Sequence, residues 1–338
     1  MMPMDWLNAA QAADRPVDNS RVGAGRSRLS AVCADFFLDE THRLTDEERA
    51  LMGSMLRGLV EEIADELLTH LPGLVASQGE TIRNRIYDDL RRSGLINRPS
   101  IVSLLLRRAD EQQMGRRASR ASDELLSALV GDQHGGVAEA AMSLTIARGR
   151  RRDRFGRLGI EFDDLSAEDA VAAVNAIAAC IGVVMGDAHD EALADSARKI
   201  ISRHDEGRRL ESAVAAVARA LDGAGQLTDD LIDRVAEAGD AALLVSALSR
   251  RSGINPDDGW TFFAGGQAMA LARIAGCRRS TAATIVAAFD PMLGLGSPDR
   301  AIDLFDRLDE AKAEEARRWL KLDPEYRAAR DALEGGNG

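Results

Sequence analysis

Hydrophobic positions recur at three- and four-residue steps through most of this chain, and hardly anywhere at the two-residue step of a half-buried strand. The clearest case follows Thr45. There Leu51, Met52, Met55, Leu56, Leu59, Val60, Ile63, Leu67 and Leu68 form one broad apolar face. Thr45 and Glu48 stand at capping-box spacing, Asp46, Glu47 and Glu48 place negative charge at the positive end of the helix dipole, and Pro72-Gly73 ends the run. Further helices are predicted at about Glu80–Ser93, Pro99–Arg116 and Ser122–Leu129, then at Val137–Arg148 after the Gly135-Gly136 break.

Beyond Arg148–Leu165 the texture changes. Ser166 with Asp169 repeats the capping pattern, and Ala170–Met185 is small, apolar and nearly uncharged, which predicts a helix buried on most sides by other helices. Helical segments follow at Ala188–His204, Arg209–Leu221, Asp229–Ala238, Ala241–Arg251, Asp257–Ala275, Thr281–Phe289 and Pro298–Leu320, with Pro298 in the favoured position behind Ser297.

Helices of this length on short connectors predict an all-α fold of irregular stacked helical hairpins, a HEAT-like solenoid or a multi-helix bundle. The start signals Leu44-Thr45, Leu165-Ser166 and Leu227-Thr228 recur at unequal intervals, so a regular array is not supported. The expected organisation is a flexible N-terminal tail over 1–28, with Trp6 and Leu7 as a short docking segment, an N-terminal helical domain over 29–165, a C-terminal helical-repeat domain over 166–310, and a capping C-terminal helix and tail over 311–338. Bulky apolar groups at Val32, Phe36 and Phe37 mark where folding should begin.

Composition agrees. The 338 residues are 45% hydrophobic, enough for a sizeable core, and 4% aromatic, too few to favour an all-β fold. No run reads as the 18 or so uncharged residues of a membrane helix, and no basic-then-apolar leader is visible, so a soluble cytoplasmic protein is expected, without a membrane role. The net charge of −12 disfavours nucleic acid as a partner. Only three of the 43 basic residues are lysines, a bias that points to genomic base composition.

Candidate chemistry is sparse. His189-Asp190-Glu191 and His204-Asp205-Glu206 offer ligand types suited to a divalent metal, so His189, Asp190, His204 and Asp205 define a metal-dependent phosphohydrolase alternative. One helix joining them would hold them roughly 22 Å apart, too far for a shared ion, and His204 with Gly207 reads better as a helix end. Arg148, Arg150, Arg151, Arg152, Arg154 and Arg157, with Phe155 among them, could grip an acidic partner, an anion or, as a further alternative, nucleic acid. The plainer reading pairs these arginines with Glu161, Asp163 and Asp164 just beyond. Cys180 falls in an apolar helix and Cys277 precedes Arg278 and Arg279, but no histidine follows it to activate a thiol. Gly294-Leu295-Gly296-Ser297 lacks the lysine of a phosphate loop and reads as a loop and cap. No catalytic residue and no cofactor is assigned.

Several segments, "DFFLDETHRLTDEERALM", "LLLRRADEQ", "RRRDRFGR", "RHDEGRRLESAVA" and "WLKLDPEYRAARDAL", spread over roughly Leu29 to Leu333, resemble the alphaproteobacterial family DUF 2336, a domain of unknown function. The resemblance implies a bacterial protein with an all-helical, repeat-like fold and carries over no catalytic residue. The expected function is therefore a non-enzymatic interaction or regulatory scaffold whose partner is another protein. Trp319 is expected to lie against the stripe Ile302, Phe305 and Leu308 and so to cap the array.

Overall fold

The computed structural model describes residues 44–69, 76–115, 119–153, 156–293 and 297–335. The 1–28 tail, Val32, Phe36 and Phe37, the Pro72-Gly73 stop, Arg154, Phe155 and Gly294–Gly296 lie outside them. In chain order the helices are α1 (Asp46–Thr69), α2 (Ala76–Ser93), α3 (Pro99–Gly115), α4 (Ser119–Val130), α5 (Gly135–Arg151), α6 (Ala167–Met185), α7 (Asp190–Ile201), α8 (Leu210–Gly223), α9 (Asp229–Glu237), α10 (Ala241–Ser252), α11 (Pro256–Phe262), α12 (Ala268–Ile274), α13 (Arg279–Leu293), α14 (Pro298–Arg307), α15 (Glu310–Leu320) and α16 (Pro324–Gly335). The fold is all-α; among the described residues there is no strand, only an isolated bridge between Arg152 and Leu158. Two compact units are assembled from non-consecutive segments. Among the described residues, one takes 44–112 with 146–212, the other 113–145 with 213–335.

In the first unit α1 supplies the core face that its periodicity predicts, with Ala64 added. The capping box closes at its start: Glu48 N donates to Thr45 Oγ1 at 3.2 Å and Thr45 N to Glu48 Oε2 at 2.9 Å. Residues of α1, α2, α3, α6 and α7 join in one hydrophobic cluster. Each fully buried Leu or Ile, such as Ile63 or Leu67, contributes about 1.5–3 kcal/mol. Helix α6 packs against α1, α2 and α7. The α6–α7 hairpin is close because residue 182 is glycine; a Cβ there would stand 2.7 Å from Asp190 Oδ1.

Helix α6 corrects two expectations. Only part of it is covered: Val171, Asn175, Ala179 and Val183 are exposed. By length and composition alone Ala167–Met185 could also cross a membrane, although half of that stretch is buried inside the protein. The two charges at its start, Glu168 and Asp169, hide this apolar length from a search for strictly uncharged runs.

In the second unit α10 is buried from Ala241 to Ser249. Buried Asp240 caps it by accepting from Leu243 N at 3.1 Å and also accepts from Ser122 Oγ at 2.9 Å. Helix α11 lies on α10 at Gly259, where a Cβ would stand 2.0 Å from Ser249 Oγ. The single helix expected over Asp257–Ala275 is in fact two. A π-turn over Phe263–Gln267, with Gly266 at φ 80°, separates α11 from α12. Pro298–Leu320 is likewise broken, because Asp309 starts α15 by accepting from Lys312 N at 2.8 Å.

The C-terminal tryptophan is buried, 8% exposed. The stripe on α14 is taken by α12 and α13, with the Arg273 guanidinium 5.3 Å from the Phe305 ring centre. Helix α15 packs on α12, where Arg317 Nε and Nη2 donate to Ile274 O at 3.2 and 2.6 Å. The Arg330 guanidinium lies 5.0 Å from the Trp319 ring centre.

Candidate functional site

The arginine segment is divided by burial. Arg151, at the end of α5, is 4% exposed and forms a bidentate pair with Asp164: Nε donates to Oδ2 at 2.7 Å and Nη2 to Oδ1 at 2.8 Å. Its Nη1 lies 3.2 Å from Glu161 Oε2, and Nη2 also donates to Arg208 O at 3.2 Å. Arg151 is therefore closed to an external anion, and the pairing with Glu161 and Asp164 is the one that the acidic run downstream suggests. Arg150, Arg152 and Arg157 are exposed and Arg148 is half-buried. The loop behind them is tight: Asp153 N donates to Arg157 O at 2.9 Å and Gly159 N to Arg151 O at 2.7 Å.

Asp164, fully buried, is a junction. Its Oδ1 also accepts from Leu210 N at 2.9 Å and its Oδ2 from Glu161 N at 3.0 Å. On α3, Arg108 is 1% exposed and pairs with Glu111 at 3.0 Å and Glu211 at 2.8 Å, with Asp164 at 3.8 Å. Arg107 adds a contact to Glu111 at 3.1 Å. Burial alone would raise the Asp164 carboxyl, but hydrogen bonds from Arg151 and the nearby Arg108 hold it below the usual carboxylate range. Glu211 is held down against its burial by Arg108 and Arg107. Arg108 Nε has no hydrogen-bond partner, so this junction is held by charge more than by complete hydrogen bonding. It lies within one unit and organises the meeting of α3, α5, the Phe162–Asp164 turn and α8. Nothing in the sequence marks Arg108 or Glu211 as members: only Glu111 is close to Arg108 along the chain, while Asp164 and Glu211 reach it from distant segments.

The two His-Asp-Glu segments are not brought together. His189 is the N-cap residue of α7 and His204 follows its far end, so the 12 residues of α7 stand between them, about 18 Å of helix. The His204 ring meets Phe162 edge-on at 5.0 Å and its Nε2 lies 3.2 Å from Leu165 O. Asp205 caps the short turn after it by accepting from Gly207 N at 2.9 Å, its own amide donating to Asp163 Oδ1 at 3.0 Å. Glu206 accepts from Ala167 N and so caps α6 from a distant segment. These residues fasten the Glu161–Leu165 loop to the α7–α8 connection. Among the described residues no three His, Cys, Asp or Glu side chains are placed to hold a metal ion.

Both described cysteines have thiols raised above the ordinary value. Burial pushes the Cys277 thiol up to about 12, outweighing Arg251 beside it, and Cys180 is raised by burial and by Asp89. Ser297 caps α14 by accepting from Arg300 N at 3.3 Å.

One stripe that α16 presents to solvent is apolar. Leu322, Tyr326, Ala329 and Leu333 are all exposed, Leu333 at 74%, and fall at i, i+4, i+7 and i+11 along and just before α16. The spacing is present in the sequence, but spacing alone does not say that this face stays uncovered. No protein-family model matches the chain, and no curated protein or solved structure matches it either.

Proposed function

We propose that this chain is a non-enzymatic, cytoplasmic helical-repeat scaffold that works by binding another protein, and that α16 is the element it presents. The observation that carries the reading is the exposed stripe Leu322, Tyr326, Ala329 and Leu333. A helix with anchors at that spacing is suited to lie in an apolar groove of a partner, and removing a Leu or Tyr side chain from water there is worth about 1.5–3 kcal/mol. The resemblance to DUF 2336 supports the same reading, since it carries no catalytic residue. So does the engagement of Arg151, His204, Asp205 and Glu206 in ion pairs, packing and backbone caps within the chain.

The test uses the full chain and its Tyr326→Asp and Leu333→Asp variants as bait in extracts of the native cell, followed by binding of the captured protein in purified form. The expected result is a partner whose affinity falls at least tenfold in each variant while the melting temperature stays unchanged. A purified chain that turns over a substrate, with no partner sensitive to these two positions, defeats the proposal.

A further inference from the structure

We infer that the outward face of α6 docks on the same face of a second copy of this chain, the two α6 helices lying side by side in parallel about a two-fold axis. This concerns a different element from α16 and does not depend on it. Between Ala170 and Met185 α6 has no charged residue, and its exposed positions Val171, Asn175, Ala179 and Val183 make one stripe at four-residue steps. Val183 is 81% exposed, more than any other large apolar side chain in the described residues. The polar member of the stripe asks for no outside partner through its amide nitrogen: Asn175 Nδ2 donates to Val171 O of its own helix at 2.8 Å.

The neighbours of α6 say what can cover it. Helices α2 and α7 each pack against both α6 and α1, so α6 runs between them with α1 beneath. Three helix axes about 9 Å apart, along the 19 residues of α6, present a surface on the order of 600 Å² per copy, close to the roughly 800 Å² per partner of a stable complex. On the α2 border the exposed Arg85, Asp88, Arg91 and Arg92 with the half-buried Asp89 leave one net positive charge, Asp89 standing within 3.4 Å of Arg85 and 2.8 Å of Arg92. On the α7 border Asp190, Glu191, Asp195, Arg198 and Lys199 leave one net negative charge, Asp195 being paired with Arg198. A two-fold axis parallel to α6 sets the α2 border of each copy over the α7 border of the other, and unlike charges meet twice. An axis across α6 sets like over like. The balanced border also gives no grip to phosphate or a lipid headgroup, which need an excess of one sign.

The experiment is sedimentation of the full chain over a hundredfold range of concentration, for the unmodified protein, Val183→Glu and Ala179→Glu. A dimer is expected whose dissociation constant rises at least tenfold in either variant, with the melting temperature of the dilute monomer unchanged because both positions are exposed. Orientation is read by placing cysteine at Asn175, Ala179 or Val183 in turn, in a Cys33→Ala, Cys180→Ala, Cys277→Ala background. The parallel arrangement predicts an oxidised cross-link at each of the three positions, whereas an antiparallel one allows a single position. A monomer at every concentration overturns the proposal and leaves the stripe to residues 1–43 or to another protein. A dimer indifferent to Val183→Glu and Ala179→Glu, or a cross-link at one position alone, overturns it too. Tyr326→Asp should leave the dimer intact, which separates this outcome from the fate of the α16 reading.

Discussion

Two charge networks, one in each unit, use the same residue types to opposite effect. In the first, Arg108, Arg151, Asp164 and Glu211 are taken out of water, and each charge has its counter-charge within 2.7 to 3.8 Å. In the second, Arg278 reaches Asp229 at 2.9 Å and Asp230 at 2.7 Å while 59% of its side chain stays in solvent. The distances are alike, and the surroundings are not. A buried pair whose partner is removed leaves an uncompensated charge in a poor medium, whereas an exposed one simply rehydrates. Distance alone therefore says little about what holds this protein together.

Breaking the buried network is the largest effect expected. Asp164→Ala strands Arg151 and removes an acceptor from Leu210 N and Glu161 N, so it should lower stability by about 3–5 kcal/mol, read as a fall in the urea midpoint. Replacing Arg108 and Glu211 together by Met and Leu should cost far less than Arg108→Met alone, because no charge is left unpaired. Equal losses would show that the pair is not the coupled unit described here.

Acid sharpens the comparison. Asp164 and Glu211 are held below their ordinary values in the folded chain, so their contribution is complete above the unfolded carboxyl range of about 3.9–4.3 and is lost as pH falls through the lower folded values. The melting temperature should drop steeply below about pH 4, and the Asp164→Asn variant, already weaker at neutral pH, should show a shallower acid limb. Parallel acid limbs in the two proteins would assign the acid sensitivity to other carboxylates.

Gly259→Ala should be intermediate. The added methyl meets Ser249 Oγ in a buried site, which costs about 1–3 kcal/mol of overpacking, and Ser249→Gly in the same chain should recover part of it. The smallest effect belongs to Arg278→Ala. Its guanidinium is exposed and screened and Asp229 keeps Arg251, so the urea midpoint should not move measurably, with or without added salt.

Some of this was legible in advance. The α1 core face and the caps at Thr45, Ser166 and Ser297 could be read because donor and acceptor lie three residues apart. The pairing of Arg151 with the following acids was legible for the same reason at slightly longer range. The break at Gly266 was not: the helical period runs through it, and only the docking of α11 on α10 at Gly259 and the left-handed turn beyond it separate the two helices. The exposure of the α16 stripe was not legible either, because its spacing alone does not say whether another segment covers it.

By itself, then, the order of residues determined that the chain is helical, where several helices begin, and which side of each is apolar. These follow from hydrogen bonds, dipoles and side-chain spacing within one or two turns. Only the tertiary structure decided that Arg108 meets Glu211, that Glu206 caps α6 from 39 residues away, and that α15, which carries Trp319, packs on α12. Which apolar face is covered, and which charge is buried, depends on what other segments bring to the same place, and that is a property of packing across sequence distance.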